Sequence, residues 1–188
     1  GALYFSDDFE ATDALKVHAG LRYSSFQHSG YISFRDYIKN DFQASDDNYR
    51  HIEPRLSFRY RLSPSSSIKG AYTQNYQYVH LASTSSVSLP TDLWVPSSSE
   101  IKPKFADQYA IGYFKNLKDN MYETSIEAYY KEMTNLLEYK EGVLPEDNTN
   151  SSSDGSFAFG NGDSYGIEVL LKKNKGKTTG WIGYTLSK

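Results

Sequence analysis

Over residues 15–26 the odd positions Leu15, Val17, Ala19, Leu21 and Tyr23 are apolar, while Lys16, His18, Arg22 and Ser24 between them are not. Side chains on a strand point alternately to two faces, so this run reads as a strand with one greasy and one wet side. The signature returns at 55–62, where Leu56, Phe58, Tyr60 and Leu62 alternate with Arg55, Ser57, Arg59 and Arg61. It returns at 122–131, with Tyr122, Thr124, Ile126, Ala128 and Tyr130 opposite Glu123, Ser125, Glu127 and Lys131. At 165–172, Tyr165, Ile167, Val169 and Leu171 face away from Gly166, Glu168 and Lys172, and Leu170 alone breaks the pattern. Weaker alternation marks 3–9, 68–79, 105–115 and 178–186, which brings the expected strands to about eight. The one helix-like window, 132–139, reads more simply as the far end of the sixth strand.

The connections alternate too. Short turns are expected near 11–13, 63–67, 116–120 and 174–177, and long polar connections at 27–52, 80–104 and 140–164. Compact domains seldom carry three such structureless loops, whereas outer-membrane barrels have short periplasmic turns on one rim and long extracellular loops on the other. The longest uninterrupted apolar stretch is residues 2–5, far short of the ~20 residues of a spanning helix. A chain of this kind crosses a membrane only as strands. Aromatic residues make up 15% of the chain, with 17 Tyr, which suits strands and interfacial girdles. The expected fold is all-β, an antiparallel up-and-down transmembrane β-barrel segment. The competing reading is a soluble, Tyr-rich β-sandwich that binds carbohydrate or protein. It predicts short loops at both ends and Leu21, Phe58, Ile126 and Ile167 buried in one core. A self-closing eight-strand barrel is a third arrangement that the strand count allows.

Six segments carry a resemblance: Ala19-Gly20-Leu21-Arg22-Tyr23, Pro54-Arg55-Leu56-Ser57-Phe58-Arg59-Tyr60, Leu89-Pro90-Thr91-Asp92-Leu93-Trp94-Val95-Pro96, Ala106-Asp107-Gln108-Tyr109-Ala110-Ile111-Gly112-Tyr113, Glu127-Ala128-Tyr129-Tyr130-Lys131 and Tyr165-Gly166-Ile167-Glu168. In this order they resemble consecutive strands in the C-terminal half of TonB-dependent receptors. Each motif is short, and the series supplies the specificity. The resemblance implies a 22-stranded barrel plugged by an N-terminal domain, which imports a scarce ligand with energy from the TonB complex. No plug or TonB-contacting segment precedes Gly1, and Lys188 is not the terminal aromatic residue typical of such barrels. Residues 1–188 are therefore expected to be a partial receptor barrel domain. The resemblance further implies a transporter rather than an enzyme, without cofactor, in the Gram-negative outer membrane among its lipids. Its cargo would be an iron chelate, cobalamin, a glycan or a peptide, and a surface lipoprotein partner is left open.

The formal net charge is −3 with Lys and Arg scattered singly, so there is no basic stripe for nucleic acid. Cysteine is absent, which removes disulfides and thiolate zinc sites. Glu123 and Glu127 share a strand face, but four residues separate them by ~13 Å, beyond the ~5 to 9.5 Å of glycosidase pairs. With Glu168, Arg22, Arg59 and Lys69 they read as the lining of a wet lumen. His18, His28, His51 and His80 lack metal-ligand spacing. The acidic pairs Asp46-Asp47 and Glu146-Asp147 lack the calcium-loop spacing. Gly160, Gly162 and Gly166 do not fit a dinucleotide fingerprint, and no serine sits in a nucleophile elbow. The candidate ligand-contact residues are Trp94 and Asp92, in a connection stiffened by Pro90 and Pro96, because an amphipathic indole is a good solute platform. The bland alternative has Trp94 packed on a neighbouring loop or set in the outer girdle.

Overall fold

The structure is a computed structural model that describes residues 1–29, 46–82, 93–140 and 157–188. The strands are β1 (Ala2–Glu10), β2 (Leu15–Ser29), β3 (Asp46–Ser63), β4 (Ser66–Gln77), β5 (Val79–Ala82), β6 (Leu93–Pro96), β7 (Lys104–Leu117), β8 (Tyr122–Tyr139), β9 (Phe157–Lys173) and β10 (Gly180–Ser187). Eight of them form one sheet in the order β1-β2-β3-β4-β7-β8-β9-β10, each antiparallel to its neighbours. β5 and β6 make a separate two-stranded ribbon inside the connection from β4 to β7. The sheet is an open meander with β1 and β10 as its two edges, which sets aside the self-closing eight-strand barrel.

The register explains why alternation within single strands adds up to a two-faced wall. Leu15, Tyr60, Ile68, Tyr113, Ile126, Val169 and Tyr184 lie in one hydrogen-bonding row across seven strands. The adjacent row runs Glu10, Lys16, Arg59, Lys69, Gly112, Glu127, Glu168 and Thr185. Neighbouring rows face opposite ways, so one side of the sheet is apolar and the other charged. Leu21, Phe58, Ile126 and Ile167 are 52, 38, 50 and 48% exposed, whereas the soluble sandwich requires them in its core. The meander contains no second packed sheet of that kind either.

Tyrosines edge the apolar side. Tyr72, Tyr109, Tyr130 and Tyr165 occupy one row on four neighbouring strands, toward the end from which the long connections leave. At the other end the chain reverses tightly. Thr12 Oγ1 accepts from the backbone N–H of Leu15 at 3.0 Å, and Lys118, Asp119 and Asn120 all take left-handed φ, between 50° and 62°.

The four expected short turns appear, and 132–139 is the far part of β8. Three strands run further than alternation indicated. β3 begins at Asp46 rather than 55, β9 at Phe157 rather than 165, and β2 continues to Ser29. Beyond the apolar belt both faces are polar or packed, so pairing continues where the polarity signal stops. Residues 30–45, 83–92 and 141–156 of the three long connections, with Pro90, Asp92 and Glu146-Asp147, lie outside the described residues.

Candidate functional site

The site is the end of the wall from which the long connections leave, where the β4–β7 connection turns across the charged face. Pairing of β4 with β3 stops at Arg55–Thr73, while β3 stays paired with β2 as far as Asp46. Tyr78, just past β4, reaches over the strands that β4 has left. Its ring stacks on Phe26 with centroids 5.2 Å apart and planes 3° from parallel. Its hydroxyl lies 2.5 Å from Ser24 Oγ and 3.0 Å from His51 Nδ1. By strand parity Ser24, Phe26 and His51 belong to the charged face. His51 in turn stacks on Tyr76 at 3.7 Å, and Tyr76 touches Phe105 at 4.8 Å. The result is a shelf of rings running from β2 to β7 across the end of the wall, since Tyr76 and Phe105, by the same parity, share the face of Tyr72 and Tyr109.

Polar groups lie beside the shelf. Glu53, opposite Arg22 in register, is 1% exposed. Arg55 Nη2 donates to Asn75 Oδ1 at 3.2 Å. The shelf thus combines stacking surface with carboxylate, guanidinium and hydroxyl groups, a set suited to holding a partly aromatic, partly polar solute.

The connection is fastened on both sides. Toward β3, the Tyr49 hydroxyl donates to the Ser98 carbonyl at 2.6 Å, and the Ser99 N–H donates to Asp47 Oδ2 at 2.7 Å. Toward β8, Asn135 Nδ2 donates to the Pro103 carbonyl at 2.9 Å. Asn135 sits at a register shift of β8 with φ of 57°, a conformation Asn tolerates better than most residues. Ala82, Val95 and Ile101 of the connection form a small core with Leu137 and Phe157 from the tips of β8 and β9, and Tyr139 packs against it. Buried apolar contact on one side and hydrogen bonds on the other fasten the described residues of the connection to the end of the wall.

In the β5–β6 ribbon His80 pairs with Val95, and Leu81 with Trp94. His80, Ala82 and Val95 are buried on one ribbon face, while Trp94 is 64% exposed on the other. The indole is therefore presented to solvent rather than packed. His80 is fully buried, with Nε2 3.0 Å from Ser97 Oγ. Burial lowers its pKa from the ordinary imidazole value, and the Lys104 ammonium pushes the same way. Of the two residues singled out in the sequence, Trp94 is exposed on the outer face of the ribbon and Asp92 lies outside the described residues. Sequence reasoning missed Tyr49, His51, Tyr76 and Tyr78. Their spacing of two, Tyr49-x-His51 and Tyr76-x-Tyr78, is the signal that marks rings on one strand face.

The comparisons with known proteins agree with this geometry. A family model described as TonB dependent receptor-like, beta-barrel, matches residues 1–187. No curated protein sequence matches the chain. Among solved structures, the chain resembles the alcaligin outer membrane receptor FauA from Bordetella pertussis, with 15% identity and a TM-score of 0.58, over 100% of this chain and 30% of that one. It resembles the FrpB iron transporter from Neisseria meningitidis with 13% identity and a TM-score of 0.67, over 100% of this chain and 25% of that one. It also resembles the pyoverdine outer membrane receptor FpvA from Pseudomonas aeruginosa, with 16% identity and a TM-score of 0.65, over 99% of this chain and 24% of that one. The chain thus spans less than a third of each of these proteins, and at such identities the likeness concerns the fold. With a two-faced antiparallel wall and a family match from Gly1 to Ser187, the chain belongs to the TonB-dependent receptor-like β-barrel family.

Proposed function

We propose that this chain is part of the wall of an outer-membrane receptor that takes up a scarce nutrient, with energy from the TonB complex. The observation that carries the reading is the two-faced sheet. The row through Ile126 suits lipid, and the row through Glu127 suits a water-filled or protein-filled interior. Exposed apolar side chains on this scale are a liability in water and an asset in a bilayer. In this reading the long connections face outward from the cell, where solute is first met, and the ring shelf and Trp94 stand at the mouth.

Iron chelates are the first cargo class to test, because the compared structures are named as an alcaligin receptor, an iron transporter and a pyoverdine receptor. Trp94 is the contact residue we assign in this chain, and Asp92 beside it in sequence is its proposed acidic companion. The test is uptake of radioactive iron chelates by cells that carry the intact receptor. Uptake that needs both the receptor and TonB, and that falls severalfold in Trp94→Ala at unchanged surface amount, is the expected result. Uptake indifferent to deletion of the receptor excludes iron chelates and moves the search to cobalamin, glycans and peptides. Full uptake by Trp94→Ala refutes the assignment of the indole.

A further inference from the structure

Among the described residues, the β4–β7 connection is held by contacts that do not titrate near neutral pH, with two exceptions, His51 at its root and His80 in its ribbon. His80 lies at the centre of the docked ribbon, 0% exposed, across from Val95. Its Nε2 is 3.0 Å from Ser97 Oγ. Its Nδ1 is also buried and has no hydrogen-bond partner. A neutral imidazole needs one donor and one acceptor arrangement, and an unpaired ring nitrogen costs little as an acceptor compared with a buried N–H⁺. A protonated ring has two donors and a full charge to solvate. Serine can accept from one of those donors and nothing accepts from the other.

Among the described residues the surroundings offer no compensating charge. Lys104, at the start of β7, repels a proton on the ring, and no carboxylate contributes. Glu100 and Lys102 of the 97–103 segment, Glu138 of β8 and Lys140 just after it are exposed. From β8 the neighbouring titratable group is Tyr139, which packs against the same small core. β6 (Leu93–Pro96) carries no titratable side chain, and Ser97 just after it supplies only a hydroxyl, already used.

We propose that His80 is a pH-sensitive latch that keeps the β5–β6 ribbon and residues 97–103 docked against β3, β8 and β9 while it is neutral and releases them when protonated. The direction follows from linkage. A histidine whose pKa is lowered by docking contributes its full stabilisation above its free value of ~6.5 and loses it as pH falls. The opening equilibrium of the connection should then rise about tenfold for each pH unit below ~6.5, until the docked pKa is reached. Strand pairing in β7 and β8 does not involve the ring and should not respond. The latch goes beyond the uptake reading and depends on no particular cargo. It would couple access to the mouth to the acidity outside the cell.

A second histidine requires separation from the first. His51 is bonded to Tyr78 at the root of the same connection, so its titration is a competing cause. Hydrogen exchange of the intact receptor in detergent, read by mass spectrometry and corrected for intrinsic rates, distinguishes the two. The amides of Ser97, Ser98 and Ile101 are the reporters, since each is hydrogen-bonded within the docked connection. Between pH 7.5 and 5.5 their protection should drop, by up to about tenfold, while β7 and β8 amides stay constant. His80→Gln should remain protected and flat with pH, and His51→Gln should keep the wild-type response. If His80→Gln proves undocked at every pH, Lys104→Gln decides. Removal of the repelling ammonium should leave the onset near ~6.5 but make the opening at pH 5.5 smaller than in the wild type, and an opening at pH 5.5 that is unchanged or larger overturns the proposal. Constant protection in the wild type, or a pH response that survives in a docked His80→Gln receptor, overturns it as well.

Discussion

Arginine at Ile126 tests the lipid-facing assignment with a magnitude that the structure fixes. Tyr122 and Tyr130 flank Ile126 at equal distance on β8, and all three share one face. Eight residues at ~3.3 Å put the two rings ~26 Å apart along the strand. A barrel strand tilted by ~40° projects that span to ~20 Å along the membrane normal. Ile126 thus sits ~10 Å from either ring, at mid-depth, and it is half-exposed on a face with no protein cover. Arginine at the midplane of a barrel wall costs ~2–4 kcal/mol, which is roughly a thirty- to nearly thousandfold shift in the folding equilibrium. The assay is a denaturant titration of the intact receptor folded into lipid vesicles. The control is Glu127→Arg, one residue along, exposed on the charged face opposite Glu168. Ser125, the other polar neighbour, is a poorer control because it is only 8% exposed and bonded to Glu127. Ile126→Arg should lose stability by the stated amount and Glu127→Arg by less than ~1 kcal/mol, since like charges opposite one another are unfavourable and one is removed. Equal losses would refute the face assignment.

Two further substitutions probe packing in the same vesicle assay and in the cover. A β-carbon at Gly166 would meet the Leu186 carbonyl oxygen at 2.8 Å and the Tyr129 ring at 2.9 Å, whereas one at Gly160 meets nothing within 4 Å. Gly166→Ala should therefore cost ~1–3 kcal/mol, with Gly160→Ala within ~0.5 kcal/mol of wild type, and the reverse order would contradict the described packing of β9. Tyr78→Phe keeps the ring on Phe26 but leaves Ser24 and His51 without its hydroxyl. It should weaken docking of the 93–103 segment by ~1 kcal/mol, seen as faster hydrogen exchange there with unchanged barrel stability, and unaltered exchange would remove Tyr78 as the anchor.

How much of this was legible in the sequence depends on what surrounds each strand. Where lipid lies on one side and a wet interior on the other, polarity must alternate, so residues 15–24, 55–62, 122–131 and 165–172 announced both strand and face. Past the belt that demand disappears. Asp46 to Arg50 are polar almost throughout, yet they pair with β2 residue by residue. The ribbon of β5 and β6 was hidden for a different reason. Each strand has four residues, too short for periodicity to register, and its stability comes from contacts with Leu137 and Phe157 far along the chain. The ring shelf has the same origin. Tyr78 meets Ser24 across 54 positions, and no local pattern encodes that meeting. Trp94 was recognisable because a lone indole between prolines is conspicuous, but only the ribbon register shows that it faces outward while Val95 faces in.

The central claim is that a single plane separates lipid from the interior along every strand, and a scan of β8 tests it most directly. The chain contains no cysteine, so nitroxide labels introduced one at a time from Tyr122 to Lys131 report their own positions against no background from this segment. In the intact receptor in bilayers, collision with dissolved oxygen measures contact with lipid, and collision with a water-soluble nickel complex measures contact with water. The account predicts that oxygen accessibility peaks at 122, 124, 126, 128 and 130, out of phase with nickel accessibility. The two profiles rising together, or a profile without a period of two, would contradict it.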